Sequence, residues 1–219
     1  MKNIRWILVC ILLSALLINT GCSKQAEYPP HYEKISQVLG QDLETVVAHM
    51  GLSLDDFEYR NGFYCLKDPI AYFGYNFEMR LVMYRNEHAN HVMGVSYLLQ
   101  YDNDPQGAAG AVIDLRDKLK ENHGSPNSSQ SEFAKDKATL ESQTKENLVT
   151  TFSSGKNSVA GINWTLSKKL DSVPKEILEA YDPSCVYLQF TTGYPVEGSV
   201  TDGNLGSVVI TLEYYLMSR

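Results

Sequence analysis

Val208-Val209-Ile210-Thr211-Leu212-Glu213-Tyr214-Tyr215-Leu216, near the carboxyl end of a 219-residue chain, decides the fold class. Val208, Ile210, Leu212, Tyr214 and Leu216 alternate with Val209, Thr211, Glu213 and Tyr215. A period of two sends successive side chains to opposite faces of a strand. This strand therefore has one apolar face and one mostly polar face. The same pattern recurs upstream: Val186, Leu188 and Phe190 alternate with Tyr187, Gln189 and Thr191, and Ile162, Trp164 and Leu166 alternate with Asn163, Thr165 and Ser167. Farther back, Phe77, Met79, Leu81 and Met83 alternate with Glu78, Arg80, Val82 and Tyr84. After the polar Asn86-Glu87-His88-Ala89-Asn90, the residues Met93, Val95, Tyr97, Leu99 and Tyr101 share one face. Two alternating runs around a short polar loop predict a β-hairpin. A further short strand is expected near Phe63 to Leu66, between the breakers Gly62 and Gly74.

Helical spacing fills the gaps between these runs. Ala108, Ala111, Val112, Leu115 and Leu119 form one stripe, with Asp104 placed to cap it, Pro105 at its first position, Gly124 after its end and Pro126 beyond. Ile35, Val38 and Leu39 stop at Gly40, and Leu43, Val46, Val47 and Met50 stop at Gly51 with Asp42 as N-cap, so two short helices open the domain. Residues 125–147 are polar and read as a surface loop or a weakly formed, solvated helix. Strands with one apolar face need helices on that face only. The expected fold is α+β: an antiparallel β-sheet with helices packed on one face and the other face exposed to solvent.

The amino terminus has a different logic. Lys2 and Arg5 precede 13 residues from Trp6 to Ile18 that are apolar except for Ser14, followed by Asn19-Thr20-Gly21-Cys22. A membrane-crossing helix needs about 17 to 25 residues, so the run reads as a signal peptide. Gly21-Cys22 at its end resembles the lipobox of bacterial lipoproteins, with Asn19 where leucine is usual. That resemblance implies cleavage before Cys22, lipidation of Cys22, and residence at the extracytoplasmic face of a cell membrane. Residues 1–21 are then the signal, 22–31 a lipidated tether ending near Pro29-Pro30, and 32–219 a single domain. The segment from Leu39 to Gly51, the sequence His123-Gly124-Ser125-Pro126, the Trp164 strand and the terminal Tyr214-Tyr215 are together similar to a loosely defined group of uncharacterised Gram-positive lipoproteins. This implies a fold and a location, with no activity attached.

Charge narrows the partners. The chain carries −7, and loss of Lys2 and Arg5 with the signal takes the mature protein to −9. No basic cluster exceeds Lys168-Lys169, so phosphate backbones are repelled and nucleic acid is not an expected partner. Of four cysteines, Cys10 leaves with the signal and Cys22 carries lipid, which leaves Cys65 and Cys185 able to form one disulfide in an oxidising compartment or to remain two thiols.

Catalytic signatures are missing from the sequence. Gly155-Lys156 lacks the preceding glycine of a phosphate loop, and neither Cys-x-x-Cys nor His-Glu-x-x-His occurs. Ser96 follows Gly94-Val95 as in a nucleophile elbow, but it sits in a regular strand without the second glycine. Asp102-Asn103-Asp104 begins like a calcium loop and lacks the acidic twelfth position, where Ile113 stands. His88 and His91 lack a third metal ligand. No cofactor or metal is implied. What remains is the polar sheet face, where Tyr187, Gln189, Thr211, Glu213 and Tyr215 offer aromatic contact area and hydrogen bonds to an envelope protein, peptide or glycan. The expectation is a non-catalytic binding module; the alternative is a small cell-envelope hydrolase with a site assembled from distant residues.

Overall fold

The alternating runs form strands where their period places them. The computed structural model describes residues 37–83, 90–131, 140–154, 159–167, 175–193 and 206–218. In chain order the elements are α1 (Leu43–His49), β1 (Phe57–Arg60), β2 (Phe63–Leu66), β3 (Ile70–Tyr72), β4 (Tyr75–Met83), β5 (Val92–Asp102) and α2 (Pro105–His123). They continue with β6 (Ser128–Ser131), α3 (Lys145–Ser153), β7 (Val159–Ser167), α4 (Lys175–Ala180), β8 (Tyr181–Gly193) and β9 (Ser207–Ser218).

All pairings are antiparallel, in the order β1-β2-β4-β5-β9-β8-β7-β6, with β3 folded onto β4. Two meanders of consecutive strands thus meet along β5 and β9, from Gly94 opposite Tyr215 to Asp102 opposite Ser207. The β1–β2 turn is Asn61-Gly62, with φ of 53° and 87°. Two successive positive φ values are what a two-residue hairpin of the right twist requires, and Asn-Gly adopts them at low cost.

The fold is α+β, with α2 covering one face of the sheet. Its expected stripe is buried: Ala108, Ala111, Val112, Leu115 and Leu119 are 2 % exposed or less. Asp104 caps it, its Oδ1 accepting from Gly107 N at 2.8 Å. Facing it are the apolar alternates of the sheet, including Val95, Tyr97, Trp164, Leu188, Leu212 and Tyr214. Polar contacts fix the helix at its middle and at its C-terminal end. Tyr75 Oη donates to Asp114 Oδ2 at 2.9 Å, and Trp164 Nε1 donates to the Gly124 carbonyl at 3.0 Å. α1 hangs from the start of β5, where Gly40 N donates to Val92 O at 2.7 Å and Val92 N to Gln41 O at 2.9 Å. Asp42 is its N-cap, as its place in the sequence predicts. The helix expected before it begins outside the described residues, as do the signal, Cys22, the tether and His88.

Three features go beyond what the sequence patterns decide. The polar segment 125–147 supplies the edge strand β6, a 3-10 turn at Leu140–Ser142 and the first turn of α3. An edge strand pairs through its backbone and needs no apolar side chain; Leu140, Leu148 and Phe152 then suffice to seat the rest, each fully buried. The Cys65–Cys185 disulfide is not formed: Cys65 is a free, buried thiol on β2. β4, β5 and β9 separate β2 from β8. Four interstrand steps of about 4.8 Å exceed the roughly 7 Å limit between bridged Cα atoms. Finally, the register shifts by one residue between Val82 and Met83, which pair with Gly94 and Val92 and leave Met93 as the extra residue.

Candidate binding site

The register assembles one row of residues across the face opposite α2. Glu58 stands opposite Cys65, Cys65 opposite Arg80, Arg80 opposite Ser96, and Ser96 opposite Glu213. The row continues through Gln189, Asn163 and Ser128. Seven strands, β1, β2, β4, β5, β9, β8 and β7, thus contribute seven polar or thiol side chains in line, and the backbone register carries the row on to Ser128 of β6. Cys65, Ser96 and Asn163 are buried, at 4 % exposure or less, while Arg80, Glu213 and Gln189 are half-buried and Glu58 is exposed. Short side chains sink in the middle of a sheet, and long ones keep their tips in water.

Charge divides this face in two. Arg60 and Arg80 are the only lysines or arginines in the described strands. Both are occupied: Arg60 pairs with Glu78 at 2.8 Å and Glu58 at 3.4 Å, and Arg80 pairs with Glu78 while lying 5.7 Å from the Phe63 ring centre. Glu213 lies toward the other edge, two strands and roughly 10 Å from Arg80. Burial pushes its carboxyl above the usual carboxylate range, opposed by a hydrogen bond from Ser96. Beyond it, Tyr215 Oη donates to Gln189 Oε1 at 3.2 Å.

Glu213 and Tyr215 border a cavity of about 450 Å³. Val82, Met83 and Met93 supply its apolar side from β4 and β5, and Leu216 closes it on β9. Tyr181, the first residue of β8, completes the wall. Local irregularity shapes the space. The register shift at Val82/Met83 brings Met83 and Met93 to it, and Gly94 leaves no side chain between its neighbours Val82 and Tyr215. A second register shift lies between Asp182 and Val186, where β8 takes up Pro183 and so extends back to Tyr181. Proline enters a strand only at an edge, at the first residue or at such a bulge.

Of the expected site residues, Glu213 and Tyr215 reach the cavity. Gln189 and Thr211 share their face and flank Glu213, Gln189 across the ladder and Thr211 along the strand. Tyr187 stands directly opposite Tyr215 in the register. Cys185 stands opposite Ser167 in the register of β7 and β8. Alternation along the sequence does not point to Val82, Met83, Met93, Tyr181 or Leu216 as site residues; a glycine interrupting the β5 alternation and a proline inside β8 are the only signals it carries. Ser96 is a mid-strand residue beside a carboxylate. His91 precedes it by five residues, roughly 17 Å along an extended chain, so His91 is not placed as its base. Asp104 caps α2, and Asp102 accepts from Ser207 and Gln100, so neither loop aspartate is arranged as a calcium ligand. Among the described residues no three His, Cys, Asp or Glu side chains converge as on a metal ion.

Comparison of the chain with family models, with curated proteins and with solved structures returned no match.

Proposed function

We propose that this chain is an exported lipoprotein, anchored through Cys22 at the extracytoplasmic face of a cell membrane, that binds a compact ligand in the cavity beside Glu213 and Tyr215. The observation that carries the binding half is the cavity itself. About 450 Å³ of space with apolar walls and a few converging polar groups has the size and make-up of a small-ligand site. It favours an inserted ligand over a broad contact with a protein or glycan. The anchoring half rests on the apolar run ending at Gly21-Cys22, since two or more acyl chains make membrane attachment stable.

Each half has its test. Cys22→Ala is expected to move the protein from the membrane fraction to the soluble or secreted fraction by at least tenfold, with an unchanged melting transition. Fractionation identical to the parent's overturns the anchor. For the cavity, 4-phenylbutanol is a neutral apolar probe, and ligand-observed NMR titration of the intact protein is expected to show saturable binding. Tyr215→Ala, which removes an aromatic wall at the surface end of the site, is expected to weaken it at least tenfold without loss of folding. No saturable binding by the parent, or equal binding by a folded variant, overturns the cavity as the ligand site.

A further inference from the structure

Building on that reading of the cavity, we infer that it selects an organic cation: an apolar body carrying a protonated amine, with the Glu213 carboxylate as counter-charge. The composition of the wall carries this. Glu213 is the only charged side chain among the described lining residues. A carboxylate in an apolar recess is unfavourable unless it is paired or hydrogen-bonded, and Ser96 opposite it supplies one hydrogen bond. The sheet's own arginines are engaged with Glu58 and Glu78 toward β1 and do not neutralise it. A ligand ammonium provides in place the positive charge that the described lining residues lack.

The remaining wall suits the same ligand. Tyr181 and Tyr215 contribute aromatic side chains to the wall, and ammonium groups are drawn to such rings within about 6 Å. Met83 and Met93 are flexible and polarisable, and they adapt to apolar bodies of irregular shape. An anion entering the cavity meets a like charge on Glu213, with no described Lys, Arg or His in the wall to offset it. A neutral ligand fills the apolar volume and leaves the carboxylate without its counter-charge.

Three probes that share one body separate these cases: 4-phenylbutylamine, 4-phenylbutanol and 4-phenylbutyrate, titrated at pH 7 into the intact protein by ligand-observed NMR. The amine is expected to bind at least tenfold more tightly than the alcohol, and the carboxylate more weakly than either. Glu213→Gln keeps the shape of the side chain and removes its charge; it is expected to bring amine and alcohol within about twofold of each other while the alcohol's affinity stays near the parent's. Because the ranking is read on the parent protein, it does not depend on the variant's folding. Equal binding of amine and alcohol by the parent, tighter binding of 4-phenylbutyrate, or an amine preference that survives Glu213→Gln overturns the inference while leaving the cavity as a ligand site. Failure of all three to bind overturns both.

Discussion

Replacing Trp164 by alanine is expected to lower the stability of the domain by about 3–5 kcal/mol, the range for truncating a large buried aromatic. Trp164 is 2 % exposed, stands opposite Leu188 on β8, and donates from Nε1 to the Gly124 carbonyl at 3.0 Å. That carbonyl follows the last turn of α2, where helix carbonyls lack an intrahelical partner. The variant therefore empties core volume and strips a helix end of its hydrogen bond together. Small domains have about 5–15 kcal/mol in total, so a large fraction of the fold's stability rests on this contact. Urea denaturation should show a lower midpoint with an unchanged slope, the signature of lost stability without a changed unfolding reaction. Trp164→Phe separates the two parts: it keeps most of the ring, loses the N–H, and is expected to fall between parent and alanine variant. An alanine variant with the parent's midpoint would show that the tryptophan does not join α2 to the sheet.

The same residue shows how much of the fold is legible in the sequence alone. Ile162 and Leu166 flank Trp164 at a spacing of two and so assign its face, and Ala108, Val112, Leu115 and Leu119 assign theirs at helical spacing; both faces are buried. Patterns of this kind survive because burying one face is the main source of stability for a long strand or helix. β6 leaves no such trace, because Ser128–Ser131 carries no apolar residue and is held by backbone pairing to β7. The cavity is hidden for a related reason. Its wall depends on two register shifts, at Val82/Met83 and at Asp182/Val186, and register is a property of paired strands that no single strand's sequence contains. Alternation alone places Glu213 and Tyr215 on a face; it does not say what surrounds them. The free thiol of Cys65 follows from strand order, equally invisible to cysteine counting.

Gly94 joins fold and site most directly, and Gly94→Ala is expected to destabilise the domain by about 1–3 kcal/mol, the cost of forcing an extra methyl into a packed interior, and to weaken 4-phenylbutanol binding at least tenfold. A β-carbon built at Gly94 would lie 2.5 Å from the Tyr214 carbonyl oxygen, 2.6 Å from Tyr215 Cβ and 2.9 Å from Tyr215 Cα. None of these atoms is the far end of a flexible side chain. They belong to the middle of β9, so relief requires β9 to move away from β5 where Ser96 faces Glu213. The displaced residues are the ones that border the cavity, and the added methyl also enters the space between Val82 and Tyr215. Gly110→Ala is the control. Its β-carbon would meet only the Lys145 tip, at 3.5 Å from Nζ, and it replaces a glycine inside α2, where alanine is favoured by about 0.5–1 kcal/mol. That variant is expected to match or exceed the parent's urea midpoint with full probe binding. If Gly94→Ala behaves as Gly110→Ala does in both measurements, β5 and β9 have room to spare and Gly94 is not what sets the cavity's shape.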